Sequence, residues 1–124
     1  MKLHLDNRAG VNTFTGYGAG YVAVNGTRHE KNLVVLAGEI IGDWAPGGFD
    51  SLSPDDLAPL AQHGLEIVLI GTGTRLRFPR PEILRPLIEA RIGVEVMDVQ
   101  AACRTYNILA SEARKVAAAL LLTD

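Results

Sequence analysis

The 124-residue chain contains a single cysteine, and only 6% of its residues are aromatic. One cysteine excludes an internal disulfide, and three histidines beside it supply no cluster with metal-ligand spacing. Neither cofactor nor metal is therefore expected. Lys and Arg number twelve against fourteen Asp and Glu, a formal charge of -2 that gives no footprint for nucleic-acid phosphates. The longest apolar runs, residues 67–70 and 116–122, fall far short of the ~20 residues that cross a bilayer. The opening MKLHLDNRAG lacks both the apolar core of a signal peptide and the amphipathic pattern of an import sequence, so a cytoplasmic location is expected.

The chain has a hydrophobic fraction of 48% with 21% charged residues, enough apolar surface to offset the entropy of ordering one core. Residues 1–124 are accordingly read as one domain. Tyr21-Val22-Ala23-Val24, Asn25-Gly26 and Thr27-Arg28-His29 spell a β-hairpin, because Asn-Gly favours the positive φ of a tight turn. Gly16, Gly18 and Gly20 before it permit bends or bulges. His4 falls in an expected strand of its own. Leu33-Val34-Val35-Leu36 suits a strand buried on both faces, with Glu39-Ile40-Ile41 continuing beyond Gly38.

Beyond the loop at residues 45–50 the period changes. Ser53-Pro54-Asp55-Asp56 opens a helix and Gly64 closes it. Glu66-Ile67-Val68-Leu69-Ile70 reads as a central parallel strand, residues 81–91 as a helix and Val94-Glu95-Val96-Met97 as the next strand. Pro86 either distorts a helix begun near Glu82 or opens one capped by Arg85. A helical period runs through residues 100–122. The expected fold is α/β: a three-layer domain with a mixed central sheet, βαβα-type crossovers and an added N-terminal antiparallel β layer.

If the strands ending at Ile70 and Met97 are parallel neighbours, Gly71, Thr72, Gly73 and Asp98 share the carboxyl edge where open α/β sheets bind ligands, with Arg104 close behind. Backbone amides around the glycines can hold an anion, although a tight structural turn explains the same residues, since Arg75-Leu76-Arg77-Phe78 resumes an extended pattern instead of a helix. Arg75, Arg77 and Arg80 are the one local basic concentration, suited to an acidic partner or to a solvated face. Cys103 is read first as a buried structural thiol, and Asp98, Tyr106 and Asn107 as a helix cap and buried hydrogen bonds. Trp44 is read as core.

The blocks Leu69-Ile70-Gly71-Thr72-Gly73, Gly93-Val94-Glu95-Val96-Met97-Asp98 and Ala101-Ala102-Cys103-Arg104-Thr105-Tyr106-Asn107, with the ending Glu112 to Leu120, resemble the family of small proteins that includes mitochondrial complex I assembly factor 3 and the adipogenesis-associated domain proteins. Val99 stands where that pattern has threonine, and Ala113 where glycine is common. The resemblance implies a compact mixed-sheet fold and a non-enzymatic module that binds a protein partner, in the manner of an assembly factor for a respiratory or membrane complex. The alternative is an anion- or metabolite-binding protein, or a small enzyme, using the Gly71-Thr72-Gly73/Asp98 edge. Pairing into a homodimer is one way a β-rich chain of this size shields a sheet edge, and no sequence pattern fixes an interface.

Overall fold

The computed structural model describes residues 10–123. His4 and its expected strand lie outside the described residues. Three antiparallel strands, β1 (Phe14–Gly18), β2 (Tyr21–Val24) and β3 (Thr27–His29), form one small sheet in that order. The Asn-Gly turn joins β2 to β3 as its chemistry demands, with both Asn25 and Gly26 at positive φ. A register shift between Phe14 and Gly16 marks a bulge in β1.

The main sheet has the order β5-β4-β8-β6-β7, built from β4 (Leu33–Leu36), β5 (Glu39–Ile41), β6 (Ile67–Gly71), β7 (Gly93–Met97) and β8 (Val116–Leu120). β6 runs parallel to both β7 and β8, while β4 is antiparallel to β8. The helices are α1 (Pro54–Leu57), prolonged by a 3-10 turn over Ala58–Gln62, α2 (Pro81–Glu89) and α3 (Val99–Ser111). At the start of α1 the Asp56 carboxylate accepts from the Ser53 backbone N–H at 2.9 Å. α2 opens at Pro81 behind Arg80 and runs through Pro86, so the first of the two placements of Pro86 holds: the proline sits inside the helix.

The steps from β6 to β7 and from β7 to β8 move in opposite directions across the sheet. Right-handed crossovers then put α2 and α3 on opposite faces. The cores agree. Leu33, Val35, Leu69, Ala118 and Leu120 face α3 and the small sheet. Val34, Leu36, Val68, Ile70, Ala117 and Ala119 face α1, α2 and Trp44. Trp44 is a core residue whose indole N–H donates to the Asp56 carbonyl at 2.8 Å. The structure is α/β, with three layers as expected.

Two sequence expectations are corrected. The helical period over residues 100–122 breaks at Ser111, and the Ala-rich run beyond it is β8, buried along its whole length in the middle of the sheet. Alanine's helix propensity is overridden because small side chains let two layers of helix approach both faces of one strand. Residues 75–78 form no strand either; they belong to an irregular loop between β6 and α2. No helix among the described residues is long and apolar enough to cross a membrane.

Candidate functional site

The parallel register pairs Gly71 with Met97 on one side and Leu120 on the other, so the ends of β6, β7 and β8 meet. Gly71 is where the last turn of strand meets the first turn of α3. A Cβ there would lie 2.7 Å from Leu120 Cδ2, 3.2 Å from Val99 Cα and 3.3 Å from Ala102 Cβ. Glycine is favoured here by the close approach of helix to sheet.

The connection past Gly71 remains bonded. Thr72 N–H donates to the Met97 carbonyl at 2.9 Å, Leu121 N–H to the Gly71 carbonyl at 2.8 Å, and Val99 N–H to the Gly73 carbonyl at 2.9 Å. Thr72 is fully buried; its hydroxyl donates to the Arg75 carbonyl at 2.8 Å and accepts from Arg77 N–H at 3.0 Å. Gly73 takes φ 92°, the left-handed region that glycine enters at least cost.

Asp98 caps α3, its Oδ1 accepting from Ala101 N–H at 2.8 Å. Arg104, one turn and a half further on, donates to the Tyr17 hydroxyl at 3.1 Å and ties α3 to the small sheet. Cys103 is fully buried, and burial pushes its thiol up to about 12, with the Arg104 charge opposing. A thiol in that state is a neutral packing group at physiological pH. Tyr106 is likewise pushed up to about 12 by burial; its hydroxyl donates to the Asn12 carbonyl at 2.9 Å, and its ring meets Phe14 edge-on at 5.1 Å between centroids.

An open cleft of about 140 Å³ lies at this edge. Its walls are the β1–β2 turn (Gly18, Ala19, Gly20), Gly73 and Thr74, the first turn of α3 (Val99, Gln100) and Leu122. Of the candidate ligand residues named from sequence, Gly73 lines it directly, joined by Gly18 and Gly20, which the sequence marked only as sites of bends or bulges. Gly71 is packed against Leu120, Val99 and Ala102, Thr72 is bonded to the main chain of Arg75 and Arg77, Asp98 is committed to the α3 cap, and Arg104 is engaged with Tyr17. Sequence reasoning noticed the glycines before the hairpin but not that the small sheet carries them to this edge; only the packing of β1 on α3 reveals it. No group of three or more His, Cys, Asp or Glu among the described residues is placed to hold a metal ion.

The family model described as "Protein of unknown function (DUF498/DUF598)" matches residues 14–121. That span runs from the first residue of β1 past the last residue of β8. The chain belongs to this family.

The chain is also similar to individual proteins and solved structures. NADH dehydrogenase [ubiquinone] 1 alpha subcomplex assembly factor 3 of Danio rerio is 35% identical over 100 residues, covering 79% of this chain and 57% of the relative. An uncharacterized protein of Rhodobacter capsulatus is 37% identical over 115 residues, covering 91% of this chain and 86% of that one. A crystal structure of a Bordetella parapertussis protein superposes with a TM-score of 0.84 at 38% identity, covering 93% of this chain and 98% of the other. The chain spans about half the length of the vertebrate assembly factors it matches, from 48% for Mus musculus to 57% for Danio rerio.

Proposed function

We propose that the protein, as one α/β module over residues 1–124, is a non-enzymatic binding module that assists assembly of a respiratory or membrane protein complex, acting through a protein partner in the cytoplasm. The observation that carries the reading is the identity of 35% to an assembly factor across 79% of this chain, a stretch long enough to include most of the core. The chemistry of the polar edge supports it, since Asp98, Thr72, Arg104 and Cys103 are each engaged in holding the fold together.

Deleting the gene in its own host, with affinity capture of the tagged full chain, tests this directly. The expected results are a fall in membrane NADH:quinone oxidoreductase activity, accumulation of partial complexes, and capture of subunits of that complex. Unchanged activity together with no reproducible partner for an abundant, folded protein would sink the reading.

One observation favours a second reading, in which the protein binds a small anion or metabolite: the cleft of about 140 Å³ lies at the carboxyl edge of the parallel strands, between the turn at Gly73 and the first turn of α3. Gly71, Thr72, Gly73, Asp98 and Arg104 would then shape or support its wall. A thermal-shift screen against carboxylates, nucleotides and phosphorylated metabolites decides it, because a ligand of the native state raises apparent stability. A flat response across the screen removes this reading.

A further inference from the structure

The loop between β6 and α2 carries a feature that the cleft does not use. Within residues 75–80 stand Arg75, Arg77 and Arg80, three of the twelve cationic residues in a chain of net charge -2, and no acidic residue. The same six residues expose Phe78, 73% accessible and the most exposed large apolar side chain among the described residues, and Leu76, 49% accessible.

This segment is held in shape. The Thr72 hydroxyl bonds the main chain at Arg75 and at Arg77, and Arg77 Nη2 donates to the Thr72 carbonyl at 3.1 Å. The Arg77 guanidinium lies over the Phe49 ring, 4.5 Å from its centroid. Pro79 is buried and Pro81 opens α2. Arg77 thus faces inward as an anchor, whereas Arg75, Leu76, Phe78 and Arg80 project outward. Among the described residues, neither Arg75 nor Arg80 forms an ion pair.

A water-exposed aromatic beside uncompensated arginines, on a loop that has already lost its conformational freedom, is the composition of a protein-binding hot spot. We infer that residues 75–80 are a docking loop for an acidic protein segment that carries apolar side chains. Charge complementarity names the partner's sign, and Phe78 with Leu76 names its apolar content. Two exposed acids, Glu82 just beyond Arg80 and Asp50 next in sequence to the Phe49 that Arg77 covers, break up the positive charge, which favours a short acidic polypeptide over a continuous anionic surface such as a membrane. This inference rests on the binding-module reading above.

The test places a photo-crosslinking benzoylphenylalanine at position 78 of the full chain in its own host, with a second variant carrying it at position 108, exposed on α3. The expected outcome is crosslinking from position 78, and not from position 108, to a partner segment rich in Asp and Glu. Capture of that partner should fall at least tenfold in Arg75→Glu/Arg80→Glu and in Phe78→Ser, and weaken as salt rises, with the melting temperature unchanged because these side chains are exposed. Crosslinks from position 78 only to lipid or only to a second copy overturn the inference. If the variants capture the partner as well as the unaltered chain does, the docking loop is wrong and the binding-module reading stands. If the unaltered chain captures no partner, the docking loop falls, and the binding-module reading falls with it when deletion of the gene also leaves activity unchanged.

Discussion

The Asn107 carboxamide forms a two-bond ring with the backbone of Phe14, 93 residues earlier: Phe14 N–H donates to Oδ1 at 2.9 Å, and Nδ2 donates to the Phe14 carbonyl at 2.8 Å. The side chain of α3 thereby plays the part of a missing neighbouring strand for β1. Asn107 is 1% exposed, so water cannot replace either bond.

Replacing Asn107 with alanine should leave both backbone groups unsatisfied, at about 1–3 kcal/mol for each. The melting temperature should fall by roughly 3–6 °C per kcal/mol for a domain of this size. Asn107→Asp keeps the acceptor for Phe14 N–H but sets a buried carboxylate oxygen against the Phe14 carbonyl, so at neutral pH it should be at least as destabilising as alanine. Thermal unfolding of the three proteins side by side checks this; a shift within error for the alanine variant would refute the ring's role.

Asp98 and Gly71 allow a structural role to be separated from a ligand role. Asn is as good an N-cap as Asp, so Asp98→Asn should be nearly neutral in stability while Asp98→Ala costs about 1 kcal/mol. Gly71→Ala forces a methyl against Leu120 and the backbone of Val99 and should cost about 1–3 kcal/mol by overpacking. Denaturant midpoints measure all three. Equal loss in both Asp98 variants would point to a need for the charge itself.

α3 ends in a Schellman motif: Ala113 N–H donates to the Ala110 carbonyl and Arg114 N–H to the Leu109 carbonyl, both at 3.0 Å, with Ala113 at φ 62°. Glycine is the residue this position favours. Ala113→Gly should therefore stabilise the protein by about 0.5–1 kcal/mol, visible as a raised midpoint of unfolding. A lowered midpoint would show that the flexibility glycine adds to the unfolded chain outweighs the relief.

Burial of Cys103 and Tyr106 sets an alkaline limit. Each holds its proton in the folded protein up to about 12, whereas the unfolded chain releases it from about 9 for the thiol and 10 for the phenol. The unfolded state then binds fewer protons, so stability is complete below pH 9 and declines as pH rises from there toward 12. Cys103→Ala should remove the part of this decline that begins near pH 9. In the native protein at pH 8 the thiol should resist a disulfide reagent and react fully in denaturant; prompt native labelling would contradict its burial.

The same Ala113 explains where the sequence was hardest to read. The hairpin at Asn25-Gly26, the buried Leu33–Leu36 run and the cap at Asp98 follow local chemistry, and each stands where the residues put it. The end of α3 carries no glycine, and Val116-Ala117-Ala118-Ala119-Leu120 is a better helix by propensity than a strand. Its β conformation comes from neighbours: β4 and β6 supply the hydrogen bonds, and two helical layers cover the faces. At the polar edge, Gly71, Gly73 and Asp98 were legible as companions because parallel register follows from alternating strand and helix. The contribution of Gly18 to Gly20 depends on how one sheet stacks on another, which no local pattern records.

The central place of β8 has a consequence for biosynthesis. Because β8 is the strand that joins β4 to β6, the β4–β5 hairpin and the β6–β7 pair have no shared ladder until residues 116–120 have left the ribosome. The strands of residues 33–97 must wait, with the facing edges of two half-sheets unpaired, for residues 116–120 to arrive. Slowed or truncated translation in this segment should expose the nascent protein to chaperones and proteases far more than an equal delay earlier in the chain.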